Sequence, residues 1–114
     1  MSAENIPARP RASQTFDPDG PALFALGNVV ATPGAIALME DHGIGAVIFL
    51  KRHQYGDWGN LGAEDRMSNN SAVTDGSRVF SSYDVQGERI WVITEAVGDD
   101  GERASTCILL PEEY

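Results

Sequence analysis

Arg78-Val79-Phe80-Ser81-Ser82-Tyr83-Asp84-Val85-Gln86-Gly87-Glu88-Arg89-Ile90-Trp91-Val92-Ile93-Thr94-Glu95-Ala96 alternates, turns and alternates again. Two runs rich in Val, Ile, Phe, Tyr and Trp flank Gln86-Gly87, the pattern of a β-hairpin closed by a short turn. Strands are expected over residues 78–85 and 89–96. On the second, Ile90, Val92 and Thr94 share one face, and Trp91, Ile93 and Glu95 the other. Both faces are largely apolar, so this strand is expected to be central and at least partly covered on both sides. A further strand over residues 104–110 follows the turn Gly98-Asp99-Asp100-Gly101. Short turns between consecutive strands imply an antiparallel meander.

Upstream of the hairpin the period changes to that of helices. Thr32-Pro33 is a start signal, because Thr can cap and Pro fits the first helical position, where a missing N–H is harmless. Ala35, Leu38 and Met39 then share a face, Glu40 and Asp41 face water, and Gly43 is the stop. A second helix is expected over residues 45–55, burying Val47, Ile48 and Leu50, with Lys51, Arg52 and His53 at the negative end of its dipole and Gly56 as its stop. A third is expected over residues 61–75, capped by Asn60 and stopped by Gly76, with Glu64 and Asp65 in its first turns. Its interior Met67-Ser68-Asn69-Asn70-Ser71 has poor helix propensity, so packing must hold it.

Before the helices, residues 22–31 read as a lead strand. Residues 1–20 carry three of the six prolines and one large aromatic, Phe16, the composition of a disordered tail. The expected organisation is that tail and one α+β domain over residues 21–114. The domain has a lead strand, three short helices, and a three-stranded antiparallel meander with helices packed on one face.

Composition narrows the function. With 114 residues, 42% hydrophobic and 22% charged, the chain can build one ordinary core. The longest apolar run is residues 44–50, far short of the roughly 20 residues that span a bilayer. There is no basic segment leading into an apolar one at the start, so a cytoplasmic protein is expected. The single cysteine, Cys107, forms no intramolecular disulfide and is expected to be a buried structural thiol. Seventeen acidic residues against eight basic give a net charge of −9. Lys51-Arg52 is the one adjacent basic pair, which disfavours tracking a phosphate backbone. Such acidity suits solubility, a basic protein partner, or imitation of a nucleic-acid surface.

The densest cluster of chemistry is Arg52-His53-Gln54-Tyr55-Gly56-Asp57-Trp58-Gly59-Asn60. As a structured interhelix turn, Trp58 pins the loop to the core and Asp57 or Asn60 satisfies free N–H groups of the next helix. His53 would then hydrogen-bond a carbonyl or Asp57. As a binding site, Arg52, His53, Tyr55, Asp57 and Trp58 offer a stacking surface beside a guanidinium. His53 and Asp57 are four apart, but Gly56 breaks the helix between them and no second histidine or cysteine lies at ligand spacing, so no metal or cofactor is expected. A catalytic alternative combines His53, Arg78, Tyr83 and Glu95 as the acid–base set of a small ribonuclease. The charge opposes it, because that chemistry needs a basic groove.

Gly27-Asn28-Val29-Val30-Ala31-Thr32-Pro33-Gly34-Ala35, Arg52 through Gly59, Ser81-Ser82-Tyr83, Ile90 through Glu95 and Leu109-Leu110-Pro111-Glu112-Glu113-Tyr114 together resemble a family of small bacterial proteins. Its members are carried on plasmids and integrative elements, and some bear the label of a restriction-modification subunit. The resemblance runs from Gly27 to Tyr114 and implies a mobile-element context, with no activity to carry over. A chain of 114 residues has no room for a methyltransferase with its cofactor domain and target-recognition region. The expected function is a non-enzymatic accessory protein that binds another protein, with anti-restriction or anti-defence action through the acidic surface as the sharpest version. Direct contact with nucleic acid or membrane is not expected.

Overall fold

A computed structural model describes residues 21–114; the tail expected over residues 1–20 lies outside them. Strand β1 (Asn28–Ala31) leads into helices α1 (Pro33–Asp41), α2 (Ala46–Gln54) and α3 (Ala63–Asp75), followed by β2 (Val79–Val85), β3 (Glu88–Thr94) and β4 (Ser105–Leu109). A 3-10 turn, Pro111–Glu113, comes last. The class is α+β, as expected.

The hairpin folds as its alternation dictates. β2 and β3 pair antiparallel from Val79↔Thr94 to Val85↔Glu88, closed by Gln86 and Gly87, both with positive φ. β4 pairs antiparallel with β3 through Trp91↔Leu109 to Thr94↔Thr106. The lead strand departs from the meander. It joins the sheet parallel to β4, giving the mixed order β1-β4-β3-β2. β1 is also shorter than expected, because residues 23 and 24 bond to α2: Leu23 N–H donates to the Gln54 carbonyl (2.9 Å), and Gln54 Nε2 donates to that of Phe24 (2.8 Å).

Helix α1 begins where Thr32-Pro33 signals, with the Thr32 hydroxyl accepting from Ala35 N–H (3.3 Å). A second cap arrives from the far end of the chain. Glu113 accepts from Gly34 N–H (2.9 Å), from Leu110 N–H (2.9 Å) and from the Thr32 hydroxyl. A carboxylate at a helix N-terminus meets the positive end of the dipole, and these bonds, that from Thr32 foremost, hold Glu113 below the usual carboxylate pKa. Ala35, Leu38 and Met39 are buried, as their spacing predicts.

α2 corrects the sequence reading. Val47 and Ile48 are 67% and 53% exposed, while Phe49 and His53, one turn apart, face the core. A histidine occupies a core position because strand hydroxyls wait for it there. α3 starts at Ala63 behind Gly62, with no side-chain cap. Asn60 is not its cap, because the cap position falls two residues later at Gly62; the Asn60 N–H donates to the Ser82 carbonyl.

The helices pack on one sheet face, again as expected. Ala35, Leu38, Met39 and Phe49 meet Tyr83, Val85, Ile90, Val92 and Ile108 in one cluster; Phe24, Trp58 and Ala72 meet Val79 in another. On the opposite face Trp91 is half-buried, edge-on to Phe80 (5.0 Å) and to Tyr114 (5.7 Å). Cys107 lies half-buried rather than enclosed, its thiol pKa pushed up by burial and by the carboxylates of Glu113 and Glu95.

The outer edge of β2 is closed by the chain itself. Gly59 forms a parallel bridge to Ser82, with Ser82 N–H donating to the Trp58 carbonyl (3.1 Å). Asn69 of α3 clamps the neighbouring residue, donating to the Phe80 carbonyl (2.6 Å) and accepting from Phe80 N–H (3.0 Å). Gly59 has φ +77, and a Cβ there would run into the Ser82 carbonyl oxygen. Gly59→Ala is expected to destabilise the fold by about 2–3 kcal/mol, combining left-handed strain with the backbone clash. A shift of the urea midpoint measures it, and an unchanged midpoint would contradict the close approach.

Candidate functional site

Residues 52–60 comprise the last turn of α2 and the segment that leads from it towards α3. Trp58 is 1% exposed, its indole N–H donating to Asn70 Oδ1 (3.0 Å). Asp57 holds the turn from both carboxylate oxygens. One accepts from Gly59 N–H (3.2 Å), and the other pairs with Arg52 Nε (2.7 Å). The Arg52 guanidinium lies 4.4 Å from the centre of the Tyr83 ring, and Tyr83 donates its hydroxyl proton to the Asp57 carbonyl (2.7 Å). Tyr83 is buried, and burial raises its phenol pKa well above the ordinary value. Arg52 therefore stacks on Tyr83, while Trp58 faces inward. Tyr55, the C-cap residue of α2, is half-buried.

His53 lies deeper still. Its Nδ1 is 2.6 Å from Ser81 Oγ, and its Nε2 is 2.9 Å from Thr94 Oγ1. Neither Asp57 nor a backbone carbonyl is its partner; hydroxyls are. Thr94 Oγ1 lies 2.7 Å from Thr106 Oγ1, which donates to the Leu26 carbonyl (2.7 Å). A carbonyl only accepts, so the direction of the chain is fixed. Thr106 donates to Leu26, Thr94 to Thr106, and His53 Nε2–H to Thr94. Nδ1 is left bare to accept the Ser81 proton. Full burial and the nearby Arg103 charge keep the ring neutral, and the chain then sets its Nε2–H tautomer, with both nitrogens satisfied. Phe24 stands edge-on to it at 5.2 Å and Trp58 at 6.1 Å.

A serine hydroxyl on an imidazole oriented by a third group has the outline of a nucleophile and its base. Access decides against that use here. His53, Ser81, Thr94 and Thr106 each have 0% exposure, and none lines a described cleft. Of the rest of the acid–base set, Tyr83 is buried with its hydroxyl on the Asp57 carbonyl, and Arg78 and Glu95 lie apart from this chain. Arg78 is exposed and donates to the Tyr114 hydroxyl (2.9 Å), and Glu95 is exposed at the strand end, its carbonyl accepting from Arg103 (3.0 Å). Among the described residues, no three side chains of ligating type come together to hold a metal ion.

Arg103 is the residue that sequence reading passed over. It is 7% exposed and donates to the carbonyls of Ser77 (2.7 Å), Glu95 (3.0 Å) and Ala72 (3.0 Å), with its guanidinium 5.4 Å from the Phe24 ring centre. It thereby adds a second donor to the Ala72 carbonyl, which also accepts from Gly76 N–H (2.9 Å), and ties the turn before β4 to α3. Burial lowers its pKa. Arg103 lines a cleft of about 400 Å³ with Leu23, Phe24, Val73 and Val97. No local pattern marks it, since its acceptors come from three separate parts of the chain.

No family model, curated protein or solved structure matches this chain.

Two expectations follow. Trp58→Ala should cost on the order of 3–5 kcal/mol, the range for truncating a fully packed aromatic; denaturant unfolding tests it, and a loss below 1 kcal/mol would contradict the packed turn. His53 has a folded pKa of about 3 against an ordinary 6.5, lowered by burial and then by the Arg103 charge. The unfolded chain therefore takes up a proton on this ring between those values while the folded chain does not. From His53 alone, stability is flat above about pH 6.5 and falls by about 1.4 kcal/mol per pH unit below it, down to about pH 3. Unfolding free energies from pH 8 to 4 should show that slope for the native chain and lose it in a folded His53→Gln variant. Equal slopes in the two would contradict the assignment.

Proposed function

We propose that this chain acts by binding another protein and has no catalytic activity of its own. In this reading it is an accessory of a mobile genetic element, and its acidic surface engages a basic partner from a restriction or defence system. One observation carries the proposal. Every described carboxylate except Asp57 is exposed, whereas Arg103 is buried and Arg52 is half-buried against Tyr83. Among the described residues thirteen carboxylates are exposed against four cations, Lys51, Arg66, Arg78 and Arg89, so the surface they present is acidic.

The same distribution weighs against the ribonuclease reading, since long-range repulsion turns a phosphate backbone away. The sequence resemblance supplies the mobile-element context and the restriction-modification association. No single helix among the described residues is long and apolar enough to cross a membrane, which fits a partner met in solution.

The test is a restriction assay. Expression of the chain in a host with an active restriction system should raise transformation by unmodified plasmid by an order of magnitude or more. Neutralising exposed carboxylates by Glu40→Gln, Asp41→Asn and Glu64→Gln together should remove most of that gain without lowering the melting temperature. No gain in any restricting host, together with RNA cleavage by the purified chain that Arg78→Ala or Glu95→Gln abolishes, would overturn the proposal in favour of the enzyme.

A further inference from the structure

The two edges of the sheet are treated differently. At β2, residues 58–60 and the Asn69 side chain occupy the outer backbone groups of Phe80 and Ser82. At β1, the N–H groups of Asn28 and Thr32 donate to the Ala104 and Ile108 carbonyls of the β4 side, each at 3.0 Å. Alternation along a strand then turns the N–H and C=O of Val29 and Ala31 the other way, where no described residue meets them.

Exposed edges are ordinarily protected by charge, proline or a bulge. Asn28-Val29-Val30-Ala31 has none of these, and Val29 and Val30 are 44% and 52% exposed. Residues 21–39 contain no Asp, Glu, Lys or Arg at all, in a chain of net charge −9. Two copies of so acidic a protein repel wherever their carboxylates meet, and this uncharged strip is where they can approach without that cost. A strongly basic partner would find nothing to pair with there.

We infer that β1 is a self-association edge, on which a second copy of this chain pairs its own β1 antiparallel about a twofold axis. The register follows from which groups face outward. Val29 sits opposite the second copy's Ala31 and Ala31 opposite its Val29, each pair exchanging both N–H···O bonds. Val30 faces its symmetry mate at the axis, where antiparallel side chains approach closely. The contact is isologous and closes on itself, joining two sheets into one continuous sheet. A four-residue strand pair buries far less than the roughly 1,200–2,000 Å² of a standard stable interface, so the dimer is weak and concentration-dependent.

Sedimentation equilibrium over roughly 10 µM to 1 mM, the range where weak association is read, tests this. The mean mass should climb reversibly from the 12.3 kDa chain towards twice that value. Val29→Pro removes an outward N–H that no described residue accepts, and edge strands tolerate proline at such positions. It should abolish the rise while leaving the thermal unfolding midpoint unchanged. Should that variant misfold, Val30→Glu sets two like charges at the axis and should abolish the rise as well. Val47→Glu, on the exposed side of α2, should leave it intact. A chain that stays monomeric throughout overturns the inference and leaves the edge to an extended segment of another protein. A dimer that survives Val29→Pro and Val30→Glu, or that Val47→Glu abolishes, overturns it too.

Discussion

The fold depends on one chain of buried hydrogen bonds running from Ser81 through His53, Thr94 and Thr106 to the Leu26 carbonyl. It ties β2 to α2, then β3, then β4, then the segment entering β1. Each group in it would be costly to bury alone, because an unsatisfied polar atom in a core loses its water without replacement. Satisfied in series, they specify one arrangement: a shift of any strand by one residue would turn a hydroxyl to the other face and strand the rest. Hydrophobic burial drives the collapse, and this chain selects which strands meet α2.

A second constraint is the open side of β2. The turn after α2 closes it by supplying Trp58, Gly59 and Asn60, and Asp57 fastens that turn to Arg52 while Tyr83 fastens it to the sheet. The cluster that looks richest in chemistry is thus occupied in joining helix to sheet edge. Its imidazole and indole face inward. Asp57 is the one described carboxylate drawn into it; the others face outward.

How much of this was legible in the sequence follows the range of each interaction. The hairpin at Gln86-Gly87 and the start of α1 at Thr32-Pro33 are encoded within a few residues, and both could be read. The face of α2 could not. Val47, Ile48 and Leu50 look like its core side, yet of these Leu50 alone packs against the core, and Phe49 and His53 take the buried positions because Ser81 and Thr94, far along the chain, meet the imidazole. The parallel pairing of β1 with β4, the Glu113 cap on α1 and the three carbonyls held by Arg103 also lack a local signature. The Arg52–Asp57 pair straddles a helix end and shows itself only when the turn folds back. In the candidate site, the ordered turn with an inward Trp58 was within reach of sequence reasoning; the hydroxyl partners of His53 were not.

The most direct test of this account is the nitrogen NMR spectrum of the His53 ring in the folded chain, followed from pH 8 to pH 4. The account predicts one neutral tautomer throughout, with the proton on Nε2, the bare-nitrogen shift on Nδ1 and no titration. A ring that titrates near its ordinary 6.5, or carries its proton on Nδ1, would contradict the directed chain on which the fold is argued to rest.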